Sequence, residues 1–182
     1  MRFDEISDDG RLWAVRYDGM SDNILYETFH NWVDIDWLKD FFVANLSDLR
    51  SSFHITDIDA AIFDSISDAV QLQCLILDIT KETDLNLIFR PLHNSRVSEM
   101  LLGKEKLKGF RQNGHSSWLR LYAIKLQPQS YIITGGAIKL TRSMQEREHT
   151  LNELMNLEKV RNFLIEQGVT DLDGMDDYML NN

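Results

Sequence analysis

The chain has 182 residues, 43% hydrophobic and 26% charged, with 19 basic against 29 acidic side chains and a net charge of −10. That composition excludes a largely disordered chain, and the length allows one domain to bury a core without disulfide staples. A single cysteine, Cys74, excludes an internal disulfide and a multi-cysteine zinc site, and no apolar run reads as the roughly 20 residues of a membrane span.

Leu12 to Tyr17 alternates and reads as a strand; Asp18-Gly19 is a turn, and Ile24 to His30 is a second β-like run, so an N-terminal hairpin is expected. A helix capped by Asp34 or Asp36 follows, with Trp37, Leu38, Phe41, Phe42, Leu46 and Leu49 at helical spacing. A second helix opens at Thr56-Asp57-Ile58-Asp59 and carries the stripe Ile58, Ile62, Ile66, Val70. Leu72 to Ile79 fits either its continuation or a buried strand. Leu85 to Leu92 reads as a strand stopped by Pro91. The polar stretch His93–Ser117 reads as a loop with a helical turn at Val97–Leu102. Trp118–Leu126 and Tyr131–Leu140 are strong strands joined as an antiparallel hairpin. Thr150-Leu151-Asn152-Glu153 is a capping-box spacing, and Gly168 is the stop of the helix behind it.

This order predicts an α+β fold: an antiparallel sheet with helices packed on one face. Leu85–Leu92, Trp118–Leu126 and Tyr131–Leu140 should be adjacent strands. Residues 1–168 are expected to form one domain with an N-terminal hairpin elaboration, and residues 169–182 a short acidic tail, mobile or loosely docked.

Charge is segregated. Met1–Ile88 carries 6 basic and 18 acidic residues, Phe89–Thr150 carries 11 basic and 4 acidic, and Leu151–Asn182 carries 2 basic and 7 acidic. A net-acidic chain repels polyanions at long range, but screening over about 8–10 Å lets a local basic surface act. The acidic third is therefore expected to pack away from Arg90, Lys104, Lys106, Arg120, Lys139 and Arg142. Mutual neutralisation of the segments is the competing expectation.

The stretch WLRLYAIKL…YIITGGAIKLTRS, followed by HTLNELMNLEKVRNFL, resembles the RelE/HigB-like toxins of bacterial toxin–antitoxin systems and their phage-derived relatives. The likeness covers about Trp118–Gly168 and is topological over Trp13–Leu92: strand or hairpin, two helices, three strands, a helix. The chain is longer and more acidic than most members, and has Gly135-Gly136 where many carry a polar residue before the glycine. The resemblance implies a cytoplasmic toxin that cleaves mRNA without a metal or cofactor, with an antitoxin and mRNA or the ribosome as partners and no membrane. The alternative on the same fold is a non-catalytic module that binds protein or nucleic acid.

Metal-independent RNA cleavage needs an acceptor for the 2′ proton, cations on the phosphoryl oxygens and a donor for the leaving oxygen. Arg120 and Lys139, leaving neighbouring strands near the glycine pair, are the candidates to hold the phosphate, and Tyr122 or His115 to carry the proton. Arg90, Lys104, Lys106, Lys108, Arg111 and Arg142 are the candidates to bind the RNA backbone. The same residues also fit plainer roles. Arg120 and Tyr122 alternate with Leu119, Leu121 and Ala123 as a solvent face would, and Lys104–Arg111 fits a solvated loop. His149 fits a helix start, and Trp118 fits either a base-stacking platform or core. Glycines inside a strand mark a bulge or a close backbone approach.

Overall fold

A computed structural model describes residues 1–92, 102–111 and 113–181. Six strands form one sheet: β1 (Arg2–Glu5), β2 (Leu12–Arg16), β3 (Arg90–Pro91), β4 (Gly103–Lys108), β5 (Leu119–Gln127) and β6 (Ser130–Ile138), ordered β1-β2-β6-β5-β4-β3. The helices among the described residues are α1 (Ile24–Val33), α2 (Ile35–Ala44), α3 (Leu46–Phe53), α4 (Ile58–Leu77), α5 (Leu85–Ile88), α6 (Glu148–Glu166) and α7 (Leu172–Asn181), with a 3-10 turn at Met144–Glu146. The α+β class holds.

Two features of the expected architecture do not. The sheet is mixed, because β2 lies parallel to β6 while every other pair is antiparallel. Helices also cover both faces. Leu12 and Ala14 of β2, Leu119, Leu121 and Ala123 of β5, and Tyr131 and Ile133 of β6 join α1, α2 and α4 in one core. Trp13 and Val15, Tyr122, Ile124 and Leu126, and Ile132 join α6 and α7 in the other. Leu12, Trp13, Ala14 and Val15 are all buried, as an interior strand covered on both sides requires.

Local chemistry explains the other departures. Ile24–His30 is helical, not a strand. Asn23 Oδ1 accepts the Tyr26 N–H at 3.1 Å, and Leu25, Phe29 and Trp32 fall on one buried stripe. The hairpin partner of β2 is instead β1. The expected single helix from Asp34 is broken at Asn45 into α2 and α3. Leu72–Leu77 continues α4, which Asp57 caps through the Asp59 and Ala60 N–H groups. By length and mean hydropathy α4 is apolar enough to cross a membrane, contrary to the reading of the bare sequence, but Ala61, Ile62, Ala69, Leu72 and Ile76 pack in the core.

Leu85–Leu92 is not a third long strand. Asp84 caps the short α5 through the Asn86 N–H, and Gln129 Oε1 accepts the Leu85 N–H at 2.7 Å, tying this turn to the β5–β6 hairpin. Only Arg90–Pro91 pairs, at the sheet edge where a proline is tolerated. The expected loop contains β4, which separates β3 from β5. Its lysines disguise it, since lysine is depleted in strands. The helical turn expected at 97–102 lies outside the described residues except for Leu102. Helix α6 begins before Thr150, whose buried hydroxyl donates to Met144 O at 2.7 Å; the capping box belongs to Ser143 and Glu146. Gly168 ends α6 at φ +72°, with Val169 N–H donating to Leu164 O at 2.8 Å. The acidic tail is docked: α7 buries Met175, and Tyr178 packs edge-on to Phe3 at 5.8 Å.

Candidate anion-binding site

Strand alternation sends Lys104, Lys106 and Lys108 of β4 and Arg120 and Tyr122 of β5 to the α6 side of the sheet, opposite Leu107, Leu119 and Leu121. In register, Lys106 stands across from Tyr122 and Lys108 across from Arg120. The chain leaving β6 brings Lys139 and Arg142 to the same place, and the 3-10 turn adds Ser143, Met144 and Gln145. Together with Leu92 and Leu154 these residues enclose a cavity of about 460 Å³. Among the described residues five cations line it, and no carboxylate does.

Backbone carbonyls, not acids, hold several of these cations. Arg120 Nη1 donates to Ser117 O at 2.9 Å and Leu119 O at 2.6 Å. Lys106 Nζ donates to Leu92 O at 2.8 Å, and Lys139 Nζ to Arg142 O at 2.5 Å and to Thr141 O. Carbonyls fix position without cancelling charge. Burial first, and the Arg120 charge second, keeps the Lys106, Lys108 and Lys139 amines below the ordinary lysine value. A cluster of like charges that depress one another is stabilised by an entering anion.

The Tyr122 hydroxyl is buried in this wall and has no hydrogen-bond partner among the described residues. Burial raises its pKa, so it is a neutral donor at physiological pH. A buried donor left without an acceptor is costly unless a ligand supplies one.

Beside the cavity, β6 contains a bulge. Tyr122 pairs with Gly135 but Ala123 with Ile133, leaving Thr134 as the extra residue, and Tyr17 Oη donates to its carbonyl at 2.6 Å. Gly135 lies in close approach to α6: a Cβ there would lie 1.8 Å from Glu153 Oε2 and displace the end of that side chain. That oxygen is buried without a partner, and burial pushes the Glu153 carboxyl up to about 8. Gly136 is likewise pressed, against Thr28 on the other face.

The remaining predicted residues lie elsewhere. Lys104 pairs with Glu158 of α6, the one ion pair among the described residues that involves Arg90, Lys104, Lys106, Arg120, Lys139 or Arg142. Arg90 is exposed on the edge strand, and Arg111 donates to Gly114 O. His115 is on the opposite side: its Nε2 is 3.0 Å from Asp64 Oδ2 and its ring stacks on Trp118 at 4.3 Å. Trp118 is core, 1% exposed, with Nε1 donating to Ser65 Oγ. His149 contacts Ile138 O at 2.9 Å near the start of α6. The acidic helices α1, α2 and α4 lie across the sheet from the cavity. Sequence reasoning missed Leu92, Ser143, Met144, Gln145 and Leu154; only the Ser143-x-x-Glu146 spacing was a signal. No group of three or more His, Cys, Asp or Glu side chains is placed to hold a metal among the described residues.

No family model matches the chain, and neither does any curated protein or solved structure.

Proposed function

We propose that this protein acts on RNA, holding a backbone phosphate in the cavity of Lys106, Lys108, Arg120, Lys139 and Arg142 as a toxin-type endoribonuclease restrained in the cytoplasm by an antitoxin. The observation that carries the reading is the convergence of five cations on one cavity with no carboxylate lining it among the described residues. Arg120 and Lys139 would bear on the phosphoryl oxygens, and Tyr122 would donate its hydroxyl proton in a hydrogen bond to one of them. Lys106, whose burial lowers its pKa, suits the acceptor role: its neutral form takes the 2′-hydroxyl proton. The 2′-oxygen then bonds to phosphorus, the bond to the 5′-oxygen breaks, and that oxygen takes a proton from a neighbouring ammonium. The products are a 2′,3′-cyclic phosphate and a 5′-hydroxyl.

A specific observation favours the non-catalytic reading as well. His115 is engaged with Asp64 away from the cavity, so no imidazole lines it among the described residues. The ribonuclease requires RNA binding and cleavage; the non-catalytic module requires neither cleavage nor, where its partner is a protein, RNA binding.

The test compares wild type with Arg120→Ala at matched expression, scoring growth arrest, cleavage of a translated message and RNA binding. Loss of all three in a folded variant supports the ribonuclease. Binding without cleavage in wild type selects the non-catalytic module, and absence of RNA binding by wild type overturns the reading.

A further inference from the structure

The cations of the cavity form one compact patch. Lys106 stands across from Tyr122 and Lys108 across from Arg120 on adjoining strands, and the two pairs are two residues apart along each strand. Neighbouring strands lie about 4.8 Å apart and successive same-face residues about 7 Å apart, so these four side chains rise from a patch roughly 5 by 7 Å. Lys139 and Arg142 join them in the cavity lining. The charges act on one another: burial first, and the Arg120 guanidinium second, lower the Lys106, Lys108 and Lys139 amines.

Carboxylates close in sequence are engaged elsewhere. Glu146 Oε1 accepts from the Ser143 N–H at 2.5 Å, and Glu158 pairs with Lys104. Among the described residues none of the five cations forms an ion pair, and the Lys108 and Arg142 side chains donate no hydrogen bond. Tyr122, 1% exposed, adds a hydroxyl donor without an acceptor. One phosphodiester cannot offset this. An internal RNA phosphate brings a single negative charge and two free oxygens, and the next one lies beyond a ribose. A terminal phosphate brings about −1.5 to −2 and three acceptor oxygens. A chain of phosphates joined by bridging oxygens multiplies both within the reach of one patch.

We propose that the cavity binds a nucleotide 5′-polyphosphate, free or at the 5′ end of an RNA, its phosphate chain held by Lys106, Lys108, Arg120, Lys139 and Arg142 with the Tyr122 hydroxyl donating to a phosphoryl oxygen. The proposal goes beyond the RNA reading and does not depend on it, because a free nucleotide would occupy the same cations. The volume of about 460 Å³ lies within the roughly 300–1,000 Å³ of small-molecule sites. Nucleotide sites commonly hold Mg²⁺ between a carboxylate and the phosphate oxygens. Here the side chains themselves supply the positive charge, and no carboxylate lines the cavity among the described residues. The metal-free polyphosphate, two charges more negative than its Mg²⁺ complex, is therefore the better ligand.

The experiment titrates the protein by calorimetry, in EDTA and again in excess Mg²⁺. The ligands are ATP, inorganic tripolyphosphate, AMP, the diester ApA, and 2′-O-methyl hexanucleotides bearing a 5′-triphosphate or a 5′-hydroxyl. ATP should bind about 10-fold or more tightly than AMP, the worth of one charge-assisted hydrogen bond, and AMP more tightly than ApA. Mg²⁺ should weaken ATP. Arg120→Ala and Lys108→Ala, each checked for folding by circular dichroism, should weaken ATP, and Lys104→Ala should not. Tighter binding of the 5′-triphosphate RNA than of ATP supports the proposal with the RNA end as the source; the reverse supports it with the free nucleotide. Equal affinities for ATP, AMP and ApA, tighter ATP binding in Mg²⁺, or ATP binding unchanged in both cavity variants overturns the proposal. So does absence of ATP and tripolyphosphate binding, and binding of the 5′-hydroxyl RNA then keeps the RNA reading. Binding of ATP without binding of the 5′-hydroxyl RNA upholds the proposal and overturns the RNA reading.

Discussion

The two faces of the sheet treat polar groups in opposite ways. On the side of α1–α4, the buried aspartates Asp48, Asp64 and Asp68 are satisfied. Asp68 accepts from Phe110 N–H at 2.6 Å and from Ser117 Oγ, Asp64 from Asn113 and at 3.0 Å from His115, and Asp48 from two Arg147 nitrogens at 2.6 Å. The Asp64 and Asp68 contacts pin the segment before β5, and with it the Ser117 carbonyl that helps hold Arg120. On the α6 side, and among the described residues, cations line a cavity without carboxylates, and Tyr122 Oη and Glu153 Oε2 have no partner. Fully satisfied polar networks rigidify a core, whereas orphaned groups concentrate where a ligand completes them. One face is the scaffold and the other carries the candidate site.

The largest expected break comes from the scaffold side. Trp118 packs among Phe42, Phe53 and His115 with its indole N–H on Ser65. Trp118→Ala should cost about 3–5 kcal/mol in urea unfolding, and the fraction still folded should bind RNA as wild type does. Selective loss of RNA binding at unchanged stability would make Trp118 part of the site instead.

Glu153 sharpens the comparison through pH. Burial raises the pKa of its carboxyl in the folded protein to about 8, against an ordinary value of 4.5. The stabilisation is therefore fully present below about pH 4.5 and is lost as pH rises through about 8. Glu153→Gln, which stays neutral, should unfold at a temperature less sensitive to pH between 5 and 9 than wild type. Parallel pH profiles would show that the carboxyl is not buried in solution.

The smallest effect separates lysines two residues apart. Lys104 is paired with Glu158, partly exposed, so Lys104→Ala should change stability by less than about 1 kcal/mol. It should also leave the salt dependence of RNA binding unchanged. Lys106, inside the cavity, should lower the logarithmic salt slope by about 1 when replaced by Ala. Equal slopes for both variants would deny the cavity its role.

What was readable in the sequence was local. The β5–β6 hairpin, α4, the end of α6 at Gly168 and the shared face of Arg120 and Tyr122 follow from periodicity and end signals that act over a few residues. Local signals failed where two patterns compete over a short run, as in α1, or where composition hides a strand, as in lysine-rich β4. Tertiary structure decided the rest. Parallel pairing of β2 with β6 joins segments more than a hundred residues apart. The same closure gathered Lys106, Lys108, Arg120, Lys139 and Arg142 around one cavity, while leaving Lys104 on Glu158 and His115 on Asp64. Charge and spacing nominate cations; only the path of the backbone between them determines which ones face each other.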